Sequence, residues 1–355
     1  MLTSDLDYRL PEGLIAQRPA SPRDSSRLMI VDVRKQSIEH RFFRDLPVFL
    51  RPGDALVLNE TKVLPARLRA RRPGGGETEL LFLRELGAKG NLWEVMVRPS
   101  RRLRAGMALS IDDEELQAVK LLGEGRWAVA GTDVPGMLRR HGHMPLPPYI
   151  EATPEVEREY QTVYARDEGS AAAPTAGLHF TKEVLGEVEK AGARISRVTL
   201  HVGPGTFSPV RTEKLADHRM HAEHYRVPDE AARAVEKAQR VVAVGTTVAR
   251  TLESWAATGV YEGESELFIY PGYRWRAVDT LLTNFHLPRS TLLAMVMSFA
   301  GEDLIREAYE VAVKERYRFF SFGDAMLLVN GGRARSDVFP DSRLPTPDSR
   351  APEGQ

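Results

Sequence analysis

The sequence predicts an α/β fold built from more than one domain, and three observations lead there. Beyond the middle of the chain, helical and strand-like periods alternate, as in layered α/β architectures. Residues 61–144 instead carry strand-like runs without a strong helical period. Between the two textures runs MPLPPYIEATPEV, whose Pro145, Pro147, Pro148 and Pro154 exclude helix and stiffen the chain, as suits a domain junction. The length, 355 residues, favours about two domains over one.

In chain order, RLMIVDV and DALVLNET are short strands punctuated by Pro47, Pro52 and Gly53. ETELLFLREL and NLWEVMVR are rich in strand formers, and Gly74–Gly76 reads as a hairpin tip. Past the junction, Thr181 caps the helix TKEVLGEVEKAG, with Val184, Leu185 and Val188 on one face and Gly192 as its stop. RISRVTLHV alternates: Val198, Leu200 and Val202 face one way, Arg197, Thr199 and His201 the other. DEAARAVEKAQR reads as a helix, VVAVG as a buried strand, and TTVARTLESW as a helix opened by a threonine cap. SELFIY and LLTNF are strands, STLLAMVMSFAG and EDLIREAYEVAVKERY are helices, and AMLLV is a closing strand. Residues 331–355 hold four prolines, few apolar residues and no period, and are expected to form a mobile tail.

Composition narrows the chemistry. Hydrophobic residues make up 42% and charged residues 28%, enough for a real core under a soluble surface. No apolar run approaches the ~18 residues of a membrane span, and the N-terminus lacks a signal core, so a cytoplasmic protein without membrane partners is expected. There is no cysteine, which excludes disulfides, thiol nucleophiles and Cys-ligated metals. Forty-nine basic residues balance forty-nine acidic ones, so any nucleic acid must be held by a local patch.

Four stretches deliver polar residues to strand-to-helix turns. AAAPTAGLHFT places Thr175, Gly177 and His179 just ahead of a helix start. TLHVGPGTFSPV sets a Gly-Pro-Gly turn after a strand, where Gly203 and Gly205 permit close backbone approach and Thr206 adds a hydroxyl; a plain tight turn is the competing reading. VVAVGTTVART brings Gly245, Thr246 and Thr247 to a helix N-terminus, either an ordinary cap or a seat for a carboxylate or phosphate. LTNFHLPRSTLL brings Asn284, Phe285 and His286 to a strand end. Four such turns point to one composite pocket, and hence to an enzyme.

His201 is either a satisfied structural histidine or a base near neutral pH. DHRMHAEHY holds His218, His221 and His224, but helical steps of three spread the outer pair by ~120°, unlike a zinc helix motif. An acid–base cluster or a polar helix face is the better reading, and no metal is expected. Two arginine clusters, Arg67, Arg69, Arg71 and Arg72, then Arg98, Arg101, Arg102 and Arg104, lie in the strand-rich section and suit phosphate-backbone contact.

QTVYARDEGSAAAPTAGLHFT, HVGPGTFSPV, HRMHAEHY, GTTVARTLES, TNFHLPRSTLL and YRFFSFGDAMLL together resemble the S-adenosylmethionine:tRNA ribosyltransferase-isomerase family of queuosine biosynthesis. DLDYRLPEGLIAQRPASPRDSSRLMIVD, LVLNETKVLPARL and PLPPYI resemble its other segments, so the likeness runs from about residue 5 to 332. NETK stands where the family pattern has Asn-Asp-Thr-Arg, which puts a bidentate contact by Lys62 in doubt.

The resemblance implies a larger mixed α/β domain interrupted by a smaller β-rich, barrel-like inserted domain. On this sequence the catalytic domain takes residues 1–60 and 153–330, the insert 61–152, and the tail 331–355. It further implies that S-adenosylmethionine gives up its ribosyl unit to 7-aminomethyl-7-deazaguanine at the wobble position of tRNA. Epoxyqueuosine-tRNA, adenine and methionine are the products, and a monomer without metal is expected to suffice.

Such a reaction needs a base and an acid near pH 7, an anchor for the methionine carboxylate and shelter from water. His179 and His201 are the first candidates for proton transfer and His221 the third. Gly245–Thr247 would bind the carboxylate, Phe207 or Phe285 would stack on adenine, and the arginines would hold the anticodon stem-loop. A methyltransferase using HVGPGTF as its cofactor loop, or a non-catalytic tRNA-binding protein, are the alternatives; released adenine and methionine separate the first reading from both.

Overall fold

The computed structural model describes residues 1–87, 91–203 and 210–330. Among these, nine strands form one mixed sheet. Its order is Glu262–Ser265, Glu223–Arg226, Arg194–Leu200, Asp54–Asn59, Arg240–Val244, Thr280–Asn284, Ala325–Val329, Arg27–Asp32 and Ser37–Phe42. The central strands Asp54–Asn59, Arg240–Val244 and Thr280–Asn284 are wholly buried and apolar-rich, as strands covered on both faces must be.

Strand direction explains why one sheet edge gathers so many loops. Arg194–Leu200, Asp54–Asn59, Arg240–Val244 and Thr280–Asn284 run parallel, so their carboxyl ends share an edge. Ala325–Val329 runs antiparallel to Thr280–Asn284 and parallel to Arg27–Asp32, which brings Phe320–Asp324 and Ser26 to the same edge. Ligand clefts of open α/β sheets lie at such edges.

Residues Arg67–Ala130 close into a six-stranded antiparallel barrel, around Leu68, Leu80, Phe82, Trp93, Val95, Leu109 and Val129. The hairpin Arg67–Arg71 to Glu77–Glu85 turns through Gly74 and Gly75 at φ of 88° and 92°, values that β-carbon-bearing residues resist. The proline-rich stretch packs on the larger body: Leu146, Ile150, Val156 and Tyr160 join Ala16, Leu178 and Phe322 in one cluster.

Hydroxyl side chains cap the helices that follow Thr181 and Ser290, the first as the sequence predicts. The Thr181 hydroxyl accepts the Val184 N–H at 3.2 Å ahead of helix Lys182–Lys190, and Ser290 does the same for Leu293 ahead of Thr291–Ala300. Four expectations change. The stretch read as excluding helix opens one, Pro154–Glu159, because proline is tolerated at the first helical position and the Thr153 hydroxyl accepts the Val156 N–H at 3.3 Å. Helix Thr246–Thr258 has no threonine cap: Gly245, at φ 92°, occupies the cap position and offers no side-chain acceptor. SELFIY is not a strand as a unit; the strand is Glu262–Ser265, whose partner Glu223–Arg226 ends its ladder there. DHRMHAEHY is no helix either. A short 3-10 turn, Leu215–Asp217, leads into strand Glu223–Arg226, where Glu223 and Tyr225 point inward and His224 and Arg226 outward. The predicted tail lies outside the described residues.

Candidate active site at the sheet edge and barrel seam

The gathered loops enclose a narrow cavity of about 30 Å³, lined by Thr175, Gly245, Thr246, Thr247, Asn284 and His286 together with Val202 and Ser321. Three of the four turns singled out in the sequence, and Val202 at the head of the fourth, therefore meet in one place. The uncapped start of helix Thr246–Thr258 contributes its first-turn N–H groups and partial positive charge there.

Asn59, fully buried at the end of its strand, ties this edge together. Its side chain accepts the N–H of Leu200 and of Thr61, both at 3.1 Å, and donates to the Leu200 carbonyl at 3.0 Å. Sequence reasoning passed over it, because an asparagine at a strand end reads as a turn residue.

His179 is not placed for proton transfer. It is 5% exposed, stacks on Phe43 at 4.9 Å, and has both ring nitrogens engaged. Asn284 Nδ2 donates to Nε2 at 3.1 Å, and Nδ1 lies 2.8 Å from Ser26 Oγ. Burial, with Arg318 and Arg23 nearby, brings its pKa down to about 3, so the ring is neutral and spoken for. It orients Asn284 from behind the cavity wall. Gly177 makes its close approach to the Tyr164 hydroxyl, not to a ligand. Phe285 points away from the cavity, into Tyr309, Tyr317 and Phe319 at 5.1–5.5 Å, because strand neighbours alternate and Asn284 and His286 take the cavity side. Adenine cannot stack on it. His286 hydrogen-bonds Thr283 at 2.9 Å, and burial brings it down to about 3 as well.

His201 has a different setting. It sits just past its strand, where two clefts of about 330 and 310 Å³ meet at the seam between body and barrel. Its Nδ1 lies 2.8 Å from Thr61 Oγ1, a hydroxyl that can accept from Nδ1–H, the tautomer in which Nε2 is the basic nitrogen, or donate to Nδ1 in the other. Its ring lies flat against Gly169, where an added Cβ would sit 2.8 Å from Cε1, so only glycine admits the imidazole. Burial lowers its pKa while Asp167 opposes the shift, so it is unprotonated at neutral pH, as a base must be. His221, exposed, lines the same seam cleft, as do Gly203, Glu223 and His224. Among the described residues, the histidines of 218–224 do not form a cluster close enough for an ion; the one such group is Asp113, Glu114 and His141 on the barrel side.

The barrel wall of the seam is charged. Glu94, 4% exposed, pairs with Arg84 at 2.8 Å and Arg126 at 3.0 Å, and Arg84 reaches across to Glu264 of the body at 2.7 Å. Arg98 lines this cleft and stands opposite Glu79, which is itself opposite Arg69; Arg71 stands opposite Glu77. Arg69, Arg71, Arg98, Arg101, Arg102 and Arg104 are exposed. Arg67 and Arg72 are half-buried and donate to the Leu146 and Glu77 carbonyls. Arg84 and Arg126 went unnoticed in the sequence because neither sits in a basic run. Gly205, Thr206 and Phe207 lie outside the described residues.

A larger groove of about 580 Å³ lies between the N-terminal segment and helices Thr291–Ala300 and Glu302–Lys314. Its tyrosines, Tyr8 and Tyr309, are pushed above their ordinary range by burial, which suits them to hydrogen bonding rather than acid–base work.

The family model described as "Queuosine biosynthesis protein" matches residues 3–328. The chain is 72% identical over 335 residues to the S-adenosylmethionine:tRNA ribosyltransferase-isomerase of Rubrobacter xylanophilus, covering 94% of this chain and 99% of that one. It is 51% identical to the protein of the same name from Moorella thermoacetica, covering 93% of this chain and all of the other. Among solved structures it resembles the crystal structure of S-adenosylmethionine tRNA ribosyltransferase from Thermotoga maritima, with 39% identity and a TM-score of 0.54 over 92% of this chain and all of that one. Matches that run nearly end to end place this chain in the queuosine biosynthesis protein family.

Proposed function

We propose that this chain transfers and isomerises the ribosyl unit of S-adenosylmethionine onto 7-aminomethyl-7-deazaguanine at the wobble position of tRNA. Epoxyqueuosine-tRNA, adenine and methionine are released. One observation carries the reading beyond family membership: the strand-end cavity and the histidine-lined seam cleft adjoin through Val202, which lines both. A substrate seated by its amino-acid end at the sheet edge thereby presents its ribose to His201 and to a base arriving from the barrel side.

The positive sulfonium acidifies the neighbouring 5′ carbon, so a neutral imidazole suffices as base. His201 Nε2 takes that proton, with Thr61 holding Nδ1. The electrons left behind open the ribose, and adenine departs with a proton from His221. The tRNA-borne amine then adds to C4′, the carbon the ring oxygen has left; the carbanion this restores at C5′ closes onto the C1′ aldehyde, and the resulting alkoxide displaces neutral methionine from C5′ as the epoxide forms. The amides of Thr246 and Thr247 hold the carboxylate, aided by the helix dipole, while Gly245, whose own N–H donates to the Leu282 carbonyl at 2.7 Å, lets the ligand approach. Arg69, Arg71, Arg98, Arg101, Arg102 and Arg104 hold the anticodon stem-loop, from which the modified base is extruded. The protein works as a cytoplasmic monomer, since both walls of the cleft come from one chain, and its own residues supply the acid–base chemistry without a metal.

Product analysis tests the reading. Incubation with S-adenosylmethionine and precursor-bearing tRNA yields free adenine and methionine in equal amounts. Release of S-adenosylhomocysteine would replace it with a methyltransferase, and tRNA binding without either product with a binding protein.

A further inference from the structure

Arg250 and Glu223 form an ion pair in which both side chains are at most 4% exposed. Arg250 lies three and four residues after Thr247 and Thr246, on the same helical face, and helical side chains lean toward the N-terminus. All three line one small space of about 10 Å³, walled by Met220, Leu267, Phe268 and Met295. Glu223 reaches the pair from the opposite side. It lines the seam cleft beside His201 and His221, and its Oε1 accepts the Gly203 N–H at 2.7 Å. The pair thus stands in the partition between the strand-end cavity and the cleft where the ribose would react.

Buried ion pairs are poor stabilisers, because desolvation offsets their attraction, so this one invites a functional explanation. Its chemistry specifies the ligand. A lone carboxylate on Arg250 would leave Glu223 uncompensated, and a neutral ligand would part the charges with no replacement. An amino-acid zwitterion does neither: one anionic and one cationic group, a single carbon apart, exchange for the internal contact with net charge unchanged. The apolar walls suit the methylene and sulfur portion that follows.

We propose that Arg250 takes the α-carboxylate of the sulfonium substrate and Glu223 its α-ammonium, making the pair the reader of the amino-acid end. The proposal rests on the ribosyl-transfer reading above and adds two residues to the seat at Gly245–Thr247.

The test is titration calorimetry of the full chain with S-adenosylmethionine and with its decarboxylated analogue, which retains the sulfonium and ammonium. The wild type binds the parent on the order of 10- to 100-fold tighter, the range for a charge-assisted contact. Arg250→Met combined with Glu223→Gln, which leaves no unpaired charge, binds both ligands more weakly and narrows the preference to a few-fold, while Arg250→Lys keeps more of it. The proposal falls if the folded double variant discriminates like the wild type. It also falls if the wild type shows no preference while still releasing adenine, and then the ribosyl-transfer reading survives. No adenine release from precursor-bearing tRNA sinks both. Should the double variant fail to fold, Arg250→Lys decides: a preference unchanged from the wild type overturns the proposal, and a reduced one supports it.

Discussion

Two histidines that look alike in the sequence part company once their neighbours are known. His179 and His201 each follow an apolar run and precede a turn, and nothing local distinguishes a packed ring from a working one. The difference comes from residues far along the chain: Ser26, Phe43 and Asn284 enclose His179, whereas Thr61 and Gly169 leave His201 at the seam. We predict that His201→Ala slows single-turnover ribosyl transfer by roughly 10²–10⁴-fold with little change in melting temperature. His179→Ala should instead cost about 2–4 kcal/mol of stability through lost packing and two orphaned partners. Equal rates for His201→Ala and wild type would remove it as the base. The same burial makes stability depend on pH. His179 and His286 are brought down to about 3, while their unfolded counterparts titrate at the ordinary 6.5. The unfolded chain therefore binds more protons between these values. Stability is complete above pH 6.5 and is lost as pH falls toward 3, by about 1.4 kcal/mol per unit for each ring. Denaturant midpoints at pH 7.5 and 5 should show this loss, and His179→Gln should remove about half of it; an unchanged slope would contradict the assignment.

Elements with strong internal patterns were legible; those defined by a partner were not. The buried strands Arg240–Val244 and Thr280–Asn284 and the helices capped by Thr181 and Ser290 follow from local apolar runs and hydroxyl spacing. Glu262–Ser265 is a strand because Glu264 and Glu262 pair with His224 and Arg226 across the ladder, an arrangement no local propensity encodes. The cleft shows the same limit. Three of the four loop turns, together with Val202, could be foretold to converge, since parallel strands share an edge, but Arg126 reaches the Arg84–Glu94 cross-strand pair only because Arg126–Ala130 pairs with Leu92–Arg98. Within the barrel, Arg98 stands in a cross-strand row with Glu79 and Arg69, which holds its guanidinium at the rim of the seam. Arg98→Ala should weaken precursor-tRNA binding and lower the slope of log affinity against log salt by about 0.7–0.9, the value for one lost phosphate contact. An unchanged slope would show that Arg98 meets no phosphate.

At the scale of the whole molecule, a formally neutral chain places exposed arginines on the barrel and His201 and His221 on the body side of the seam. Affinity for random RNA should therefore be modest and fall with salt, with selectivity arising where the two parts meet. We expect the proton on the carbon beside the sulfonium to be removed by His201 in that seam. Substrate carrying two deuterium atoms at the 5′ carbon tests it directly by mass spectrometry of the modified nucleoside. One deuterium lost from every product molecule, with that product forming far more slowly in His201→Ala, is the predicted result; both deuterium atoms retained in the product would contradict it.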